Sequence, residues 1–472
     1  MFLISLQKYQ LYLLQLEEYE IPRYWKLLMT KGYFWPNQPL RSHIVWTAKA
    51  RVLLVLSGLV GLLTLILLWD HLKITSRLIA IVISFFAFPL FYTIALAIIW
   101  PFEFIAKQLI IAKAKKTIRK ASNLKVIGIA GSYGKTTLKN ILASVLSAKL
   151  KVLATPKSIN TPVGIAQWIS RSYNKNVDVL IIEMGEHYRG DIKHLCSIAN
   201  LDVAILCGIN EAHLERLGHL DNSIATLFEL VENTPKEALI LLNADDQNIL
   251  NNYAKYTQER KVHFFSHHNN PLCELKVQNK QFDSQNLTWD FEVGGLGNFK
   301  TTLLGEYAIG DIVASIMIAR SLNLTETEIK LGLSKVQPVQ HRLFPIKNPA
   351  GALVIDDSYN GNPEGACEAI KVLGRFNNRR KIYLTPGLVE TGSHSQEAHF
   401  EIGLHLSKVA DLVILIKNSV TPYIAKALLK NGFNESQILW FKTAPEAHEA
   451  LKDILKPTDV ILFQNDWGDQ YV

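Results

Sequence analysis

One stretch constrains the fold of this chain more than any other: Lys125 to Leu138, which reads KVIGIAGSYGKTTL. An apolar run leads into a glycine-rich turn, and the apolar residues that follow recur at helical spacing. A strand, a glycine turn and a helix N-terminus in this order bind phosphate, because backbone N–H groups curl around the anion. The stretch therefore predicts a nucleotide phosphate-binding loop. Its candidate residues are Gly131, Ser132, Gly134, Lys135, Thr136 and Thr137.

Two side chains of this loop carry the predicted chemistry. Lys135 would place a positive charge on the terminal phosphates, and the Thr136 hydroxyl is a candidate Mg²⁺ ligand. The spacing departs from the common GxxxxGK[ST] pattern, because Ile129 stands where the first glycine is expected. A chance glycine-rich turn is the alternative, but Gly-Lys-Thr-Thr between a strand and a helix favours phosphate binding.

Length and charge narrow the remaining alternatives. The 472 residues are enough for two or three domains, each with its own core. The net charge is +8, but the basic residues cluster beside apolar spans. An anionic membrane surface explains them better than nucleic acid, which we do not expect as a partner. The four cysteines lack CxxC pairs and a partnered histidine spacing, which indicates buried thiols in a reducing compartment.

Residues 1–120 are predicted to form a membrane region. Two charge-free apolar runs, about 52–69 and 78–100, are long enough to span a bilayer and are joined by a short polar link. They predict a hairpin in the cytoplasmic membrane, with its basic flanks and the rest of the chain in the cytoplasm. Two buried helices of a soluble protein are the alternative. Residues 1–42 do not resemble a cleavable signal peptide; they fit an interfacial amphipathic helix and a helix packed on the membrane pair equally well.

From Lys125 onward, short apolar runs alternate with helical patterns, which predicts an α/β fold with a mostly parallel sheet. Residues 273–304 alternate between apolar and polar positions instead, and this pattern predicts an antiparallel region. The strands predicted for the parallel sheet are Val126–Ile129, Val152–Ala154, Val179–Ile182, Val203–Leu206, Ala238–Leu242 and Val262–Phe265.

A second apolar α/β series follows a helix expected at about 310–322, and it predicts a Rossmann-like C-terminal domain. We place the boundary near Gln337–Pro338. A central ATP-binding domain would then occupy residues 121–337, and the C-terminal domain residues 338–472. The strands predicted for the second series are Ala352–Ile355, Lys381–Leu384, Leu412–Ile416 and Val460–Phe463.

Polar residues follow several of these strands, where open α/β sheets bind ligands. Glu183 ends one strand and His213 follows the next, and both are candidate ligands of a divalent ion held against phosphates. A solvated carboxylate and a surface histidine are the alternatives. In the second series, Arg342 is placed to clamp phosphate. Asp356 and Asp357, in the motif DDSYNGNP, are candidates to bind ribose or an amine, although the motif is also a favourable turn.

The order of short motifs along the chain resembles the Mur ligase family. The motifs are GIAGSYGKTT, NTPVG, EMG, NEAHLERLG, LLNADD, HRL, DDSYNGNP, TPGLVE and FQNDWGDQY, and the resemblance covers about three-quarters of the chain. It implies an ATP- and Mg²⁺-dependent amide ligase of peptidoglycan precursor synthesis. In such ligases a substrate carboxylate attacks the γ-phosphate, and an amine then displaces phosphate from the acyl phosphate. The implied acceptor is a UDP-N-acetylmuramoyl-peptide, and the implied amine is D-alanyl-D-alanine.

The resemblance also implies roles for single residues. It places the ATP phosphates on the glycine loop with Mg²⁺ beside them, and Asp357 would reach the nucleotide from the C-terminal domain. The implied catalytic residues are Lys135, His213 and Arg342, the implied metal ligands are Thr136, Glu183 and His213, and the implied substrate-binding residues are Asn160, Thr161, Asn360 and Asn362.

Three features depart from the family pattern. Leu227 stands where the family carries a lysine that is carbamylated to bridge metals, so a second metal site is either missing or rebuilt. Tyr307, Ala308 and Asp311 replace the His, Asn and Asn of a helix that contacts adenine. The family's UDP-sugar domain has no counterpart, and the membrane region takes its place. Two alternatives therefore stay open: a ligase for another acceptor, and a membrane-tethered homologue that binds nucleotide as a scaffold.

Overall fold

The structure is a computed structural model, and the chain divides into two compact units, Met1–Ile110 and Ile111–Val472. Two of the predicted site residues, His213 and Asn360, lie outside the described residues, as does the predicted start of the second membrane span. The described residues are 2–31, 44–69, 87–156, 159–186, 188–210, 217–258, 260–348, 351–359, 361–388 and 394–464.

The N-terminal unit is built from helices. These are α1 (Phe2–Leu16), α2 (Ile21–Lys31), α3 (Ala48–Trp69) and α4 (Phe88–Arg119), the last of which continues beyond the unit. Leu11 and Leu14 of α1 are fully buried, and Gln10 is buried with them, accepting a 2.8 Å hydrogen bond from the Tyr24 hydroxyl. This burial favours a helix packed within the unit over one that lies flat on a surface.

Two helices of the described residues, α3 and α4, are long and apolar enough to cross a membrane, judged by length and composition alone. Only 22% of the apolar window of α3 and 17% of that of α4 is buried. The described part of the second helix begins at Phe88, and the predicted start near residue 78 lies outside the described residues. It then runs without a break through the predicted basic cluster to Arg119, with Pro101 inside it. The apolar and basic stretches therefore belong to one continuous helix.

The central region carries the predicted parallel sheet, with strand order β2-β3-β1-β4-β5-β6. Its strands are β1 (Lys125–Ala130), β2 (Val152–Ala154), β3 (Val179–Glu183), β4 (Val203–Leu206), β5 (Leu239–Asn243) and β6 (Val262–Phe265). The helices between them are α5 (Lys135–Leu146), α6 (Pro162–Ser172), α7 (Asp191–Ile198), α8 (Leu220–Glu232) and α9 (Gln247–Thr257). The central strands β3 and β4 are buried at every residue, as expected for a parallel sheet covered on both faces.

The antiparallel region forms a three-stranded sheet beside this core. Its strands are β7 (Val277–Asp283), β8 (Thr288–Val293) and β9 (Gly297–Thr301), and the helices after it are α10 (Tyr307–Ser321) and α11 (Glu326–Leu333). Trp289 is buried, and its indole N–H donates to the Leu304 carbonyl over 2.9 Å. Its neighbour Phe282 meets Phe376 of the C-terminal region edge to face, with ring centroids 5.7 Å apart. The small sheet therefore packs into the core of the central region and also contacts the core of the C-terminal region.

The C-terminal region forms a mixed sheet of order β10-β11-β15-β12-β13-β14. Its strands are β10 (Phe344–Lys347), β11 (Leu353–Asp357), β12 (Arg380–Thr385), β13 (Leu412–Ile416), β14 (Ile438–Phe441) and β15 (Asp459–Gln464), and its helices are α12 (Pro363–Gly374), α13 (Ser395–Leu406), α14 (Thr421–Lys430) and α15 (Ala444–Ile454). The edge strand β10 is antiparallel and was not predicted, nor was the other edge strand, β14. Pro345 hides β10 in the sequence, because proline is tolerated in strands only at an edge.

Candidate active site

The glycine loop joins the end of β1 to the start of α5. Gly134, at the N-cap, has φ +80° and Gly131 has φ +149°, values that residues with a side chain rarely adopt. A Cβ on Gly131 would lie 3.0 Å from the backbone of Gly208, which follows β4. The Ser132 N–H donates to the Gly208 carbonyl over 2.8 Å. The loop is thereby held against β4, and α5 begins without a side-chain cap, as a helix that receives an anion does.

Tyr133, between the two glycines, was not predicted to matter. A Cβ on Gly208 would come within 2.1 Å of its ring, so the close packing of the two residues leaves no room for a side chain there. The Tyr133 hydroxyl donates to Asp246 over 2.6 Å, and the same carboxylate oxygen accepts the Ile209 N–H over 2.8 Å. The apex of the loop is therefore anchored to the strand-end residues that follow β4 and β5.

Glu183 lies beside the loop because β3 pairs with β1 in a register that sets it opposite Ile129. The Thr136 hydroxyl lies 3.1 Å from both carboxylate oxygens of Glu183. Lys139, one helical turn after Lys135, donates to the same carboxylate over 2.8 Å. Both members of the Lys139–Glu183 pair are almost completely buried. The structure therefore brings together the two predicted metal ligands that it describes, and it adds a lysine that was not predicted.

A second carboxylate, Glu186, faces the lysine of the loop. Lys135 Nζ lies 3.2 Å from Glu186 Oε2 and also donates to the Gly131 carbonyl. Glu186 is 2% exposed, and no described residue forms a hydrogen bond with its Oε1. Burial raises the pKa of this carboxyl. Glu186 was not among the predicted residues, although a second carboxylate only three residues after Glu183 was an available signal.

The NTPVG segment meets the same strand end. The Gly185 N–H donates to the Asn160 carbonyl over 3.0 Å, and a Cβ on Gly185 would lie 2.6 Å from the Asn160 side chain. Thr161 is the N-cap of α6, and its hydroxyl accepts the Gly164 N–H over 3.4 Å. The two predicted substrate-binding residues therefore lie beside the Glu183–Glu186 segment, although the Thr161 hydroxyl is occupied by its helix.

Arg342 is held on an unusual backbone. Its neighbours His341 and Leu343 have φ +62° and +45°, values that are uncommon for residues with a side chain and that concentrate at functional sites. The guanidinium lies 5.0 Å from the centre of the Tyr359 ring, and it forms no ion pair with any residue the structure describes. An arginine that is positioned by strained backbone and lacks a protein anion is suited to an anionic ligand.

Asp357 ends β11 and is engaged on both oxygens. Oδ1 accepts the Leu343 N–H over 3.0 Å, and Oδ2 accepts the Gln464 side chain over 2.8 Å. Burial raises the pKa of Asp357 to about 6. Asn362 is the N-cap of α12 and accepts the Gly365 N–H over 2.7 Å. The predicted residues of the DDSYNGNP motif thus also shape the turn, as the alternative interpretation expected.

A cavity of about 290 Å³ lies between the two sheets. It connects the glycine loop, through Gly134 and Thr137, with Arg342 and Asp357 of the C-terminal region. A hydrogen bond from Asn210 to Glu364, at 2.8 Å, joins the two regions beside it. Further residues that line it are Tyr133, Asp245, His267, Tyr307, Asp311 and Asn362.

Asp311 is the most unusual group of this cavity. The side chain is buried, its Oδ2 has no hydrogen-bond partner in the described part of the chain, and burial next to Asp245 raises its pKa well above the ordinary value. Asp245 is itself bound, 2.6 Å from His267 Nδ1. The wall of the cavity therefore offers an unsatisfied carboxyl where the family resemblance expected an asparagine.

Leu227, which stands where the family carries a lysine, has a packing role in this structure. Its side chain is fully buried in α8 and provides no oxygen. Glu229 lies two residues after Leu227. Its carboxylate accepts the N–H groups of Gly190 and Lys193 over 2.8 and 3.0 Å and so caps α7. This part of α8 therefore supports the neighbouring helix and supplies no ligand of its own.

A magnesium ion fits the remaining donors. The Thr136 hydroxyl and the carboxylates of Glu183 and Glu186 are oxygen ligands of the kind that Mg²⁺ prefers. The unpartnered, buried Oε1 of Glu186 is a position that a cation would satisfy. His213 lies outside the described residues, and its role as a metal ligand stays a prediction.

Comparison with known proteins agrees with this geometry. Residues 129–319 match the family model of the Mur ligase middle domain, and residues 341–464 match that of the Mur ligase glutamate ligase domain. The UDP-N-acetylmuramoyl-tripeptide–D-alanyl-D-alanine ligase of Haemophilus influenzae is 28% identical over 70% of this chain and 71% of its own. The ligase of the same name from Bacillus subtilis is 26% identical over 73% of each chain.

Solved structures give the same result. The MurF ligase of Thermotoga maritima, solved in complex with ADP, is 26% identical and superimposes with a TM-score of 0.67, covering 76% of this chain and 80% of its own. A MurF structure from Acinetobacter baumannii, 22% identical, shares the fold with the same TM-score over 76% of this chain and 77% of its own. The two matched domains, in this order and with this site between them, show that the chain belongs to the Mur ligase family.

Proposed function

We propose that the chain is an ATP-dependent amide ligase that joins D-alanyl-D-alanine to a UDP-N-acetylmuramoyl-tripeptide. The observation that carries this proposal is the cavity that the glycine loop shares with Arg342 and Asp357. A nucleotide whose phosphates rest on the loop would meet groups from both sheets there. The names of the relatives and the ADP complex of the Thermotoga protein support the choice of reaction and of nucleotide.

Charge neutralisation is the main task of the residues in this reaction. The acceptor carboxylate and the γ-phosphate are both anionic, so their approach requires positive charge on either side. Lys135 would act from the loop and Arg342 from the C-terminal region. Thr136 and Glu183 would hold Mg²⁺, whose charge would further neutralise the phosphates. Phosphoryl transfer gives an acyl phosphate, and the amine displaces phosphate to form the amide bond.

The remaining predicted residues would place the reactants. Asn160 contacts Gly185, beside the strand end that carries Glu183, and we assign Asn160 and Thr161 to the acceptor. Asn362 and Asn360 would lie toward the amine. The hydrogen bond from Asn210 to Glu364 helps to close the cavity, which would keep water from the acyl phosphate.

We also propose the domain limits and the location of the protein. The catalytic part would consist of a central domain at 121–337 and a C-terminal domain at 338–472. α3 and α4 would anchor it to the cytoplasmic membrane, because they expose long apolar surfaces and α4 ends in a basic segment. Trp100 and Phe102 are 65% and 73% exposed, which is costly in water and favourable in a bilayer.

Product analysis tests the ligase proposal. Detergent-solubilised protein would be incubated with ATP, Mg²⁺, UDP-N-acetylmuramoyl-tripeptide and D-alanyl-D-alanine, and the products identified by mass spectrometry. We expect a new amide product with stoichiometric ADP and phosphate. Phosphate release no greater than that of a Lys135→Ala control, across a panel of muramoyl peptides and amines, would overturn the proposal.

A nucleotide-binding scaffold is the second candidate, and Leu227 favours it. The side chain at this position is completely buried and cannot be carbamylated. A scaffold would bind nucleotide but release no phosphate in the same experiment.

A further inference from the structure

Glu186 lies beside the glycine loop and is paired with Lys135, the same lysine that would contact the phosphates of a bound nucleotide. Its Oε2 lies 3.2 Å from Lys135 Nζ, and Lys135 is the only cation among the described residues that stabilises its charge. Its Oε1 is buried and has no partner in the described residues. One oxygen of Glu186 is therefore paired with Lys135, while the other is available to a ligand.

The neighbouring pair shows the contrast. Glu183 is paired with Lys139, whose side chain is almost completely buried, and it also accepts from the Thr136 hydroxyl. Its charge balance survives when a nucleotide binds. The partner of Glu186, in contrast, is the lysine of the loop itself, which the resting structure holds on Glu186 and on the Gly131 carbonyl.

Binding of a nucleotide would break this balance. If Lys135 turns to the phosphates, Glu186 stays buried without a counter-charge next to a polyanion, and an uncompensated buried charge is strongly unfavourable. A divalent cation removes the cost, because it attracts the freed carboxylate and the phosphates together. Mg²⁺ typically takes one or two carboxylates plus phosphate oxygens, and Glu183 and Glu186 supply this number.

We propose, on the basis of the nucleotide site proposed above, that Glu186 binds the divalent cation that arrives with the nucleotide phosphates, while Lys135 is released from Glu186 to the phosphates. Glu186 then provides the metal-binding oxygen that the buried Leu227 side chain cannot. In this exchange the cation replaces Lys135 as the positive charge next to the Glu186 carboxylate. Metal and nucleotide therefore bind cooperatively in this chain.

The experiment measures this cooperativity without turnover. Isothermal titration calorimetry on full-length protein in detergent gives the dissociation constants of ADP and of a non-hydrolysable ATP analogue, with Mg²⁺ and with EDTA. For each nucleotide, the metal coupling is the ratio of the dissociation constant in EDTA to that in Mg²⁺. Mn²⁺ in place of Mg²⁺ adds a direct count of bound metal by electron paramagnetic resonance.

We expect Glu186→Gln to lower the coupling at least about tenfold and to weaken Mn²⁺ binding in the presence of the nucleotide, because an amide oxygen carries no charge. Glu186→Asp, which keeps the carboxylate, should retain part of the coupling, and it carries the test if thermal unfolding shows that the glutamine variant does not fold. Glu232→Gln, at an exposed position of α8, is the matched control and should behave as wild type.

Other outcomes separate the alternatives. Unchanged coupling in Glu186→Gln overturns the proposal, and tighter metal-free binding with unchanged coupling would show that Glu186 only restrains Lys135. If wild-type protein binds no nucleotide, this inference and the proposed function both fail. If coupling is lost in Glu186→Gln but no amide product forms with wild-type protein, the inference stands and the ligase proposal fails.

Discussion

The two sheets that face the cavity present their charges in opposite ways. At the edge of the central sheet, Lys135 is paired with Glu186 and Lys139 with Glu183, so each cation already has an anion. At the edge of the C-terminal sheet, Arg342 has no ion pair within the described residues and is held by its strained backbone. At the first edge the charges are paired within the protein, whereas at the second edge no described residue forms an ion pair with the arginine.

This difference follows from burial. A charge that is enclosed by the protein must be matched inside it, because desolvation is not otherwise compensated. Arg342 is only half-buried, so water can solvate it until a phosphate displaces that water. The comparison predicts that substitutions at the central edge affect folding as well as function, and that substitutions at the C-terminal edge affect function alone.

The largest effect is expected for Lys135→Ala. The variant removes the loop cation and also leaves Glu186 buried without its partner. ATP-dependent phosphate release should fall by roughly 10³-fold or more, since a preorganised charge on the transferring group is lost. A malachite-green phosphate assay measures it, with Lys149→Ala, an exposed lysine, as control. Activity within about tenfold of wild type would show that the loop does not act on phosphate.

Breaking the other central pair should be costly for stability. Lys139→Met leaves Glu183 charged and buried, and the loss of one member of such a pair costs about 3 kcal/mol. Urea denaturation monitored by circular dichroism measures the change. Lys452→Met, which removes an exposed ion pair with Glu449, should have no measurable effect. If Lys139→Met in combination with Glu183→Gln is no more stable than Lys139→Met alone, the pair is not the source of the loss.

Arg342→Ala tests the opposite edge. Turnover should fall by roughly 10²-fold because one clamp on the phosphates is removed. The unfolding midpoint should not change, since Arg342 has no ion pair in the described structure. Arg342→Lys should restore only part of the rate, because lysine lacks the planar fork of arginine. Arg171→Ala, at an exposed position, is the control, and a large stability loss in Arg342→Ala would contradict the comparison.

The smallest effect concerns Asp311, between the two edges. Its pKa is raised in the folded protein, so folding keeps a proton that the unfolded chain releases above the ordinary value of 3.8. Stability of wild type relative to Asp311→Asn should therefore fall as the pH rises above about 4. Denaturation curves at pH 5 and pH 8 measure this trend. Asp283→Asn is the control: hydrogen bonds from Asn286 lower the pKa of that carboxyl, so its contribution to stability changes only below the ordinary value of 3.8 and should be the same at pH 5 and pH 8.

Much of the fold could be predicted from short-range patterns. Strands β1 to β6 and the helix after the glycine loop follow from apolar runs and spacing that lie within a few residues of each other. The edge strands β10 and β14 could not be predicted in this way, because one contains a proline and the other is only partly buried. The same limit applies to α1, where the sequence was equally compatible with two environments.

The sequence by itself determined the element that we propose binds phosphate, because its strand, glycine turn and helix N-terminus are adjacent in the chain. It also placed Glu183 at a strand end, since that position depends only on where the apolar run stops. Which lysine meets which carboxylate was decided by the tertiary structure alone. Lys139 and Glu183 are 44 residues apart and Lys135 and Glu186 are 51 apart, and only the parallel pairing of β1 with β3 brings them into contact.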